Sequence, residues 1–217
     1  MNFKAKIIVS IFSLFLMISS LKAQNTQSLL SEVSNKVKSY ENIQIDFKYS
    51  LENTRENVKQ DTRANITLKG DNYVLNMLGV TRIFDGKTIY TIVPEDEEVT
   101  ISNYSKEEDK SISVSEMLTF YENGYNYKMD IQQNIRGRKI QFIKLSPIDS
   151  NTEIKNILLG IDMQTKHIYK LIQIDSSGTS YTITVNSFKT NQPISQNLFI
   201  FDEEKYINQG YYINKLE

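Results

Sequence analysis

Side chains that could carry out chemistry are few and scattered in this sequence. His167 is the only histidine, and none of the 217 residues is a cysteine. A lone histidine is more typical of a packed or surface imidazole than of a metal ligand or a catalytic base. The absence of cysteine excludes cysteine nucleophiles, zinc–thiolate sites and disulfides.

Two acidic runs are Glu95–Glu98 and Glu107–Asp109. Neither run has the glycine-punctuated spacing of a calcium-binding loop, so we interpret both as solvated turns, with a partner-docking patch as the alternative. The sequence also lacks a G-x-S-x-G elbow, a phosphate-binding loop and an H-E-x-x-H motif. These observations predict a protein that is not an enzyme and uses no cofactor or metal. A lipid hydrolase is a third, weaker hypothesis, because no nucleophile constellation supports it.

Hydrophobic residues alternate with polar ones through most of the chain, and this pattern is typical of strands with one apolar face. The stretch Tyr73–Ile101 holds three short strand patterns joined by tight turns. Asp85-Gly86 is a strong hairpin signal within it, because glycine accepts the positive φ of such turns. The stretch is therefore predicted to be an antiparallel meander, around which the rest of the sheet is built.

The same alternation recurs before and after the meander and predicts about eleven strands. The cleanest example is residues 43–51, and later segments begin near residues 125, 140, 154, 167 and 179. A helix is predicted at residues 26–40, where apolar residues recur every three to four positions. A second, inserted helix is predicted at residues 113–121, with the Ser113-x-x-Glu116 spacing of a capping box. The last apolar patch contains Leu198, Phe199 and Phe201.

The first 23 residues have the features of a secretory signal peptide. Lys4 and Lys6 precede the apolar segment Ile7–Ile18, and Ala23 offers a small residue at the cleavage point. We expect residues 24–217 to form one exported domain, and the hypothesis of an uncleaved anchor is the alternative. The predicted cleavage removes three lysines from the 25 basic residues and none of the 26 acidic ones. The mature protein would therefore have a net charge of about −4. No basic stripe is present, so nucleic acid is not an expected partner, and the protein is expected to be a monomer.

A sheet of this many antiparallel strands curls, because strands twist and open edges promote aggregation. A curled sheet can enclose more volume than its own side chains fill. The pattern leaves a solid core and an apolar cavity as open alternatives. A one-residue error in register would exchange the two faces of any strand. The residues expected to line a cavity by apolar contact are Phe47, Tyr49, Leu68, Leu75, Met77, Ile89, Tyr90, Leu118, Tyr121 and Phe142.

Several ordered motifs resemble those of the periplasmic outer-membrane lipoprotein carrier (LolA) family. The most specific is the hairpin Ile83–Tyr90, which contains Asp85-Gly86-Lys87-Thr88. The supporting motifs, in chain order, are Ile45-Asp46-Phe47, Val93-Pro94, Glu98-Val99, Leu145-x-Pro147, Ile161-Asp162 with Thr165, Asp175-x-x-Gly178 and Phe199-x-Phe201. The similarity spans residues 26–202.

The resemblance implies a mainly β fold, in which a curled antiparallel sheet forms an unclosed β-barrel. The N-terminal helix and the short inserted helix would form its lid. It implies a periplasmic carrier that binds the acyl chains of lipoproteins in its apolar interior. The implied partners are acylated lipoproteins, an inner-membrane lipoprotein-releasing ABC transporter and an outer-membrane acceptor. The alternative is an envelope binding module on the same scaffold, which holds another lipid or a protein partner and performs no lipoprotein transport.

One position departs from the family pattern. Family members often have Arg-Pro at the turn after the second strand, where the arginine latches the barrel to the lid, whereas this chain has Gly70-Asp71. Lys69, Arg63 and Arg82 are the substitutes that the resemblance suggests. The two main hypotheses differ in the interior, because a carrier needs a cavity and a protein-binding module predicts a filled one.

Overall fold

The computed structural model describes residues 25–104 and 118–216, which form one twelve-stranded sheet with two α-helices. Helix α1 covers residues 25–38, and the short helix α2 is Glu203–Asn208. The strands are β1 (Ile43–Asn53), β2 (Val58–Lys69), β3 (Asn72–Met77), β4 (Val80–Phe84), β5 (Thr88–Val93), β6 (Glu98–Asn103), β7 (Tyr125–Ile135), β8 (Arg138–Pro147), β9 (Ile154–Asp162), β10 (Ile168–Asp175), β11 (Ser180–Thr190) and β12 (Tyr212–Leu216).

The strand order in the sheet is β12-β6-β5-β4-β3-β2-β1-β11-β10-β9-β8-β7. Two antiparallel meanders, β1–β6 and β7–β11, are joined by the antiparallel pair β1–β11. The outer strands β12 and β7 do not pair with each other, so the barrel is unclosed. The prediction of a mainly β fold with an unclosed, curled antiparallel sheet is confirmed.

Alternation along the strands gives the sheet two apolar faces. In β1 and β2, Ile45 and Ile66 lie opposite each other on the concave face. In β3 and β4, Tyr73 and Phe84 lie on the concave face, whereas Val74 and Ile83 lie on the convex face. Because both faces of β3–β6 are apolar, both need cover.

Helix α1 covers part of the concave face. Leu29, Leu30 and Val33 pack with Tyr121 and with side chains of β8, β9 and β10. Val37, one turn further on, packs with β1–β5. The helix therefore bridges the two meanders with one apolar stripe, as its predicted periodicity requires.

The C-terminal segment covers the convex face of β3–β6. Phe199 is 7% exposed and packs among side chains of these strands, including the fully buried Val99. Helix α2 begins after Asp202, whose carboxylate accepts a hydrogen bond from the Lys205 N–H. The chain then turns through Gly210 and adds β12 to the sheet, parallel to β6.

The Asp85-Gly86 hairpin between β4 and β5 is well capped. The Asp85 Oδ1 accepts hydrogen bonds from the Lys87 and Thr88 N–H groups, and its Oδ2 accepts one from the Tyr90 hydroxyl. Burial favours the protonated form of the Asp85 carboxyl, but the hydrogen bonds to the carboxylate outweigh burial. The net result is a lowered pKa for Asp85. Gly86 has φ +97°, which glycine adopts without strain.

The sequence predictions and the structure differ in a few elements. Strands β1–β11 match the eleven predicted segments, but helix α2 and strand β12 were not predicted. Of the predicted inserted helix, residues 113–117 lie outside the described residues, and Phe120–Glu122 form one 3₁₀ turn. The predicted signal peptide also lies outside them. In residues 25–104 and 118–216, no helix is long and apolar enough to span a bilayer.

Candidate functional site

The concave face encloses an apolar hollow of about 410 Å³. This volume lies within the range of about 300–1,000 Å³ that is usual for ligand pockets. Nearly all of its wall is hydrocarbon or aromatic ring. The lining residues are Ile45, Phe47, Tyr49, Ile66, Leu68, Leu75, Met77, Leu118, Phe120, Tyr125, Ile154, Ile157, Ile168, Leu171, Gln173, Tyr181, Ile183, Val185 and Phe188.

Strands β1, β2 and β3 form one wall of the hollow by simple alternation. Ile45 and Phe47 on β1 face Ile66 and Ala64 on β2, and β3 places Leu75 opposite Ile66. Because every second side chain points inward, the polar residues between them fall on the convex face.

Strand β11 contributes to the hollow through a β-bulge. Asp46 pairs with Ser187, but the next residue, Phe47, pairs with Val185, so Asn186 is the extra residue. The bulge shifts the phase of the alternation by one residue. As a result Phe188 on one side of it and Val185 on the other both line the hollow.

Strand β10 reaches the hollow through a similar irregularity. Ile168 pairs with Ile161 and Lys170 with Gly160, so Tyr169 is the extra residue. This irregularity places both Ile168 and Leu171 in the wall. The two bulges therefore keep apolar side chains directed at the interior on both sides of the point where the alternation shifts.

Two segments pack on the concave side next to the hollow, α1 and residues 118–122. Leu118 and Phe120 line the hollow directly. The Glu122 carboxylate accepts hydrogen bonds from the Ser34 hydroxyl and, at 2.7 Å, from the Lys38 ammonium. The hydrogen bonds from Lys38 and Ser34 lower the pKa of Glu122. This contact joins α1 to residues 118–122, and none of its groups is Lys69, Arg63 or Arg82.

A second contact ties the end of α1 to the sheet. The Tyr40 hydroxyl lies 2.8 Å from the Nε2 of His167. The His167 ring stacks on Phe188, with ring centroids 4.0 Å apart. Burial, reinforced by the Lys36 charge and opposed by Asp162, lowers the pKa of His167. His167 is thus a packed imidazole behind a lining residue, and no group of residues suited to hold a metal occurs in the described ranges.

The hollow continues into a polar cleft at the end of the sheet away from α1. Ile154, Gln173 and Tyr181 line both spaces. The cleft also has Asp149, Thr152, Glu153 and Asp175 in its wall. Hydrogen bonds from Ser177, chiefly its hydroxyl, and from the Thr179 N–H lower the pKa of Asp175. The interior therefore changes from apolar to polar along its length.

Six of the ten predicted cavity residues line the hollow, and four do not. Those in the wall are Phe47, Tyr49, Leu68, Leu75, Met77 and Leu118. Ile89 and Tyr121 are on the concave side but are buried in its packed clusters. The Tyr121 hydroxyl has no hydrogen-bond partner in the described structure, and burial raises the pKa of that hydroxyl. Tyr90 and Phe142 lie on the convex face, because their neighbours Ile89 and Ile143 take the concave positions.

The lining residues that were not predicted from the sequence lie mainly on β9, β10 and β11. Their alternation is interrupted by the bulges, so no regular period marks the inward side. The signal that does exist is the concentration of apolar residues at 154–161 and 181–188. Chemically, the hollow can bind a hydrocarbon chain, whose transfer from water it would favour in proportion to the area covered.

Comparison with known proteins agrees with this geometry. The model of the family described as outer membrane lipoprotein carrier protein LolA matches residues 79–202, more than half of the chain. A search of curated proteins finds no significant match.

Solved structures with similar folds have low sequence identity. An uncharacterized conserved protein from Thermus thermophilus superposes with a TM-score of 0.58 at 9% identity, over 88% of this chain and 99% of that one. LprF from Mycobacterium bovis has a TM-score of 0.49 at 12% identity, over 80% and 96% of the two chains. A LolA superfamily protein from Nitrosomonas europaea has a TM-score of 0.44 at 13% identity, over 83% and 98%.

Proposed function

We propose, from the premise that this chain belongs to the outer membrane lipoprotein carrier protein (LolA) family, that it carries acylated lipoproteins across the periplasm. The acyl chains would occupy the hollow, and the peptide part would remain in water. The observation that supports this most directly is the unfilled apolar interior of about 410 Å³ beneath a helical lid.

The energetics favour such a role. Each buried CH₂ contributes about 0.8 kcal/mol, so a sixteen-carbon chain contributes on the order of 12 kcal/mol before the costs of binding are subtracted. A lipoprotein therefore does not cross an aqueous space with its chains exposed. A hollow formed by apolar walls covers the chains without a covalent step, and a hinged lid allows their release.

The lid in this proposal opens by separation of α1 from residues 118–122. The Ser34 and Lys38 contacts to Glu122 join these parts in the closed state. They would replace the family's arginine latch, which Gly70-Asp71 cannot supply. The protein would receive its cargo from an inner-membrane lipoprotein-releasing ABC transporter and deliver it to an outer-membrane acceptor.

The proposal includes the processing and location of the protein. Cleavage near Ala23 would release residues 24–217 as a single periplasmic domain. The alternative of a binding module with a filled interior has less support, because the interior of the sheet is unfilled between β1–β3 and β9–β11.

Co-purification tests the proposal. The mature protein is co-expressed with a tagged lipoprotein, either native or with its acylated cysteine substituted so that no acyl chains are attached. We expect recovery of the mature protein with the acylated form only. Equal recovery with the unacylated form would contradict a role for the hollow in cargo binding.

A further inference from the structure

The wall of the hollow has a polarity gradient that runs along three neighbouring strands. From the end near α1 toward the polar cleft, the inward residues of β10 are Ile168, Leu171, Gln173 and Asp175. On β11 they are Phe188, Val185, Ile183 and Tyr181, and on β1 they are Ile45, Phe47 and Tyr49. Each strand thus begins with hydrocarbon or a phenyl ring and reaches a hydrogen-bonding group further along. Gln173 and Tyr181 lie at one level, and Tyr49 lies one inward position nearer α1, followed on β1 by Leu51.

These hydrogen-bonding groups lie together because of strand register. Gln173 on β10 pairs with Tyr181 on β11. Tyr49 on β1 pairs with Ile183, one inward position from Tyr181. Burial and, to a lesser extent, the nearby Tyr181 raise the pKa of Tyr49. We define Gln173, Tyr49 and Tyr181 as the polar collar of the hollow.

The collar side chains have unused hydrogen-bonding capacity. Within the described ranges, neither the Gln173 amide nor the Tyr49 and Tyr181 hydroxyls hydrogen-bond to another protein group. Other amides of the sheet do find partners: Gln141, for example, donates to backbone carbonyls and so satisfies its amide within the fold. An amide and two hydroxyls that face a ligand cavity without partners are available to a ligand.

We propose that the polar collar binds the carbonyl oxygens that join acyl chains to their glyceryl or amide backbone. This inference rests on the proposed function and specifies the orientation of the ligand. The chains lie toward α1, the ester or amide groups lie at the collar, and the remainder of the ligand leaves through the polar cleft. The Gln173 amide and the tyrosine hydroxyls donate the hydrogen bonds, and the carbonyl oxygens accept them.

The gradient gives this orientation a physical basis. A ligand inserted in the opposite direction would place its carbonyl groups against Phe188 and Ile168, where none of the described lining residues offers a donor. A buried polar group without a partner is costly, whereas one that meets a donor gains a modest net contribution. The collar therefore selects amphiphiles with acceptors at the start of their chains over pure hydrocarbons of equal length.

Two probes with chains of equal carbon number test the collar. One is a peptide whose cysteine carries a glyceryl group with two palmitoyl esters, and the other is the same peptide with two hexadecyl ethers, which lack carbonyls. Their affinities are measured by displacement of the dye N-phenylnaphthylamine from the mature protein. We expect Gln173→Leu to weaken the ester probe about three- to tenfold, from the loss of one hydrogen bond, and to leave the ether probe unchanged.

Two further variants complete the experiment. Tyr49→Phe with Tyr181→Phe removes both hydroxyls but keeps the rings, and we expect the same selective loss. Gln133→Leu, an exposed position on the edge strand β7 outside the hollow, is the matched control and should alter neither probe. Equal weakening of both probes by Gln173→Leu, or of neither, would overturn the collar. If the unsubstituted protein bound neither probe, the proposed function would fail, and the collar with it.

Discussion

The two faces of the sheet bury the same types of side chain in different ways. On the convex face of β3–β6, the C-terminal segment fills the apolar surface with stacked rings: Tyr90 on Phe201, with centroids 4.5 Å apart, and Phe201 on Tyr206 at 5.2 Å. On the concave face, rings such as Phe47 line an unfilled hollow of about 410 Å³. The chain thus has the means to cover an apolar sheet face: it fills the apolar surface of β3–β6 on the convex side and leaves part of the concave face uncovered.

This difference separates folding from binding. Side chains of the convex cluster make their apolar contacts within the folded chain, so they contribute to its stability. Side chains of the hollow wall keep part of their apolar area uncovered until a ligand arrives. Substitutions in the convex cluster should therefore change the free energy of unfolding, whereas substitutions in the hollow should change ligand affinity.

The largest expected effect comes from filling the hollow. Ile183→Trp places an indole among the lining residues of β11 and excludes several CH₂ groups of a bound chain. At about 0.8 kcal/mol for each CH₂, the loss of four lowers the affinity for a dipalmitoyl lipopeptide by about 100-fold or more. Dye displacement measures the affinity.

Thr184→Trp is the matched control for this substitution. Thr184 is the next residue on β11 and lies on the convex side, so the same indole should leave the affinity unchanged. A similar loss from both variants would show that the effect is not due to occupation of the hollow.

The second prediction compares a phenylalanine from each face. Phe199→Ala should lower the free energy of unfolding by about 3 kcal/mol, because it removes a buried ring from a filled cluster, and should leave lipopeptide affinity unchanged. Phe47→Ala should cost about 1–2 kcal/mol of stability, because part of its ring faces the hollow, and should weaken binding. Urea denaturation and dye displacement measure the two quantities. A larger loss of stability from Phe47→Ala than from Phe199→Ala would contradict the distinction between the two faces.

The third prediction concerns the convex side of β8 and β9, where the chain packs closely upon itself. A Cβ atom at Gly160 would lie 2.9 Å from the Phe142 Cε1 and 3.2 Å from the Ile140 Cγ2, and both of these side chains are buried. Gly160→Ala should therefore destabilise the fold by about 1–3 kcal/mol through overpacking. The urea midpoint measures the loss. If the crowding is the cause, adding Phe142→Leu to Gly160→Ala should recover part of it, and no recovery would contradict this cause.

The sequence predicted the strands well and the hollow in part, for reasons that lie in particular residues. Alternation in β1 to β3 is uninterrupted, and Phe47 and Leu75, which follow this period, line the hollow. On β8 the run Ile140–Leu145 is apolar on both faces, so its period does not reveal that Ile143, and not Phe142, faces inward. The bulge at Asn186 depends on pairing with β1, which lies more than a hundred residues away in sequence.

Local sequence patterns also could not predict which segment packs on the convex face. The apolar patch at Phe199 was recognised, but its contacts with β3–β6 are tertiary. Strand β12 is a short segment that pairs in parallel with β6, and its partner cannot be read from its own residues. Local periodicity therefore determines the elements, whereas the difference between a filled and an unfilled face depends on long-range contacts.

The smallest expected effect is a pH dependence of the contacts that α1 and its C-terminal end make on the concave side. Burial lowers the pKa of His167 from its usual 6.5, so the unfolded chain binds this proton more readily than the folded one. Its contribution to stability is therefore complete above about pH 6.5 and declines as the pH falls below that value. Glu122, whose pKa is also lowered, behaves in the same way below its usual 4.5. Acid should thus weaken the Tyr40 contact first and the Glu122 contact second.

The urea midpoint, measured between about pH 3 and pH 8, should fall toward the acid end by the equivalent of less than about 1 kcal/mol from each group, because both groups are partly exposed and their interactions are screened. His167→Gln should remove the part of this decline that occurs at pH values above those at which the carboxylates titrate. Phe199→Ala, which alters the convex face, should keep the decline and only lower the whole curve. If His167→Gln left the pH dependence intact, the titration would belong to the rest of the molecule, and the two faces would no longer differ in their response to pH.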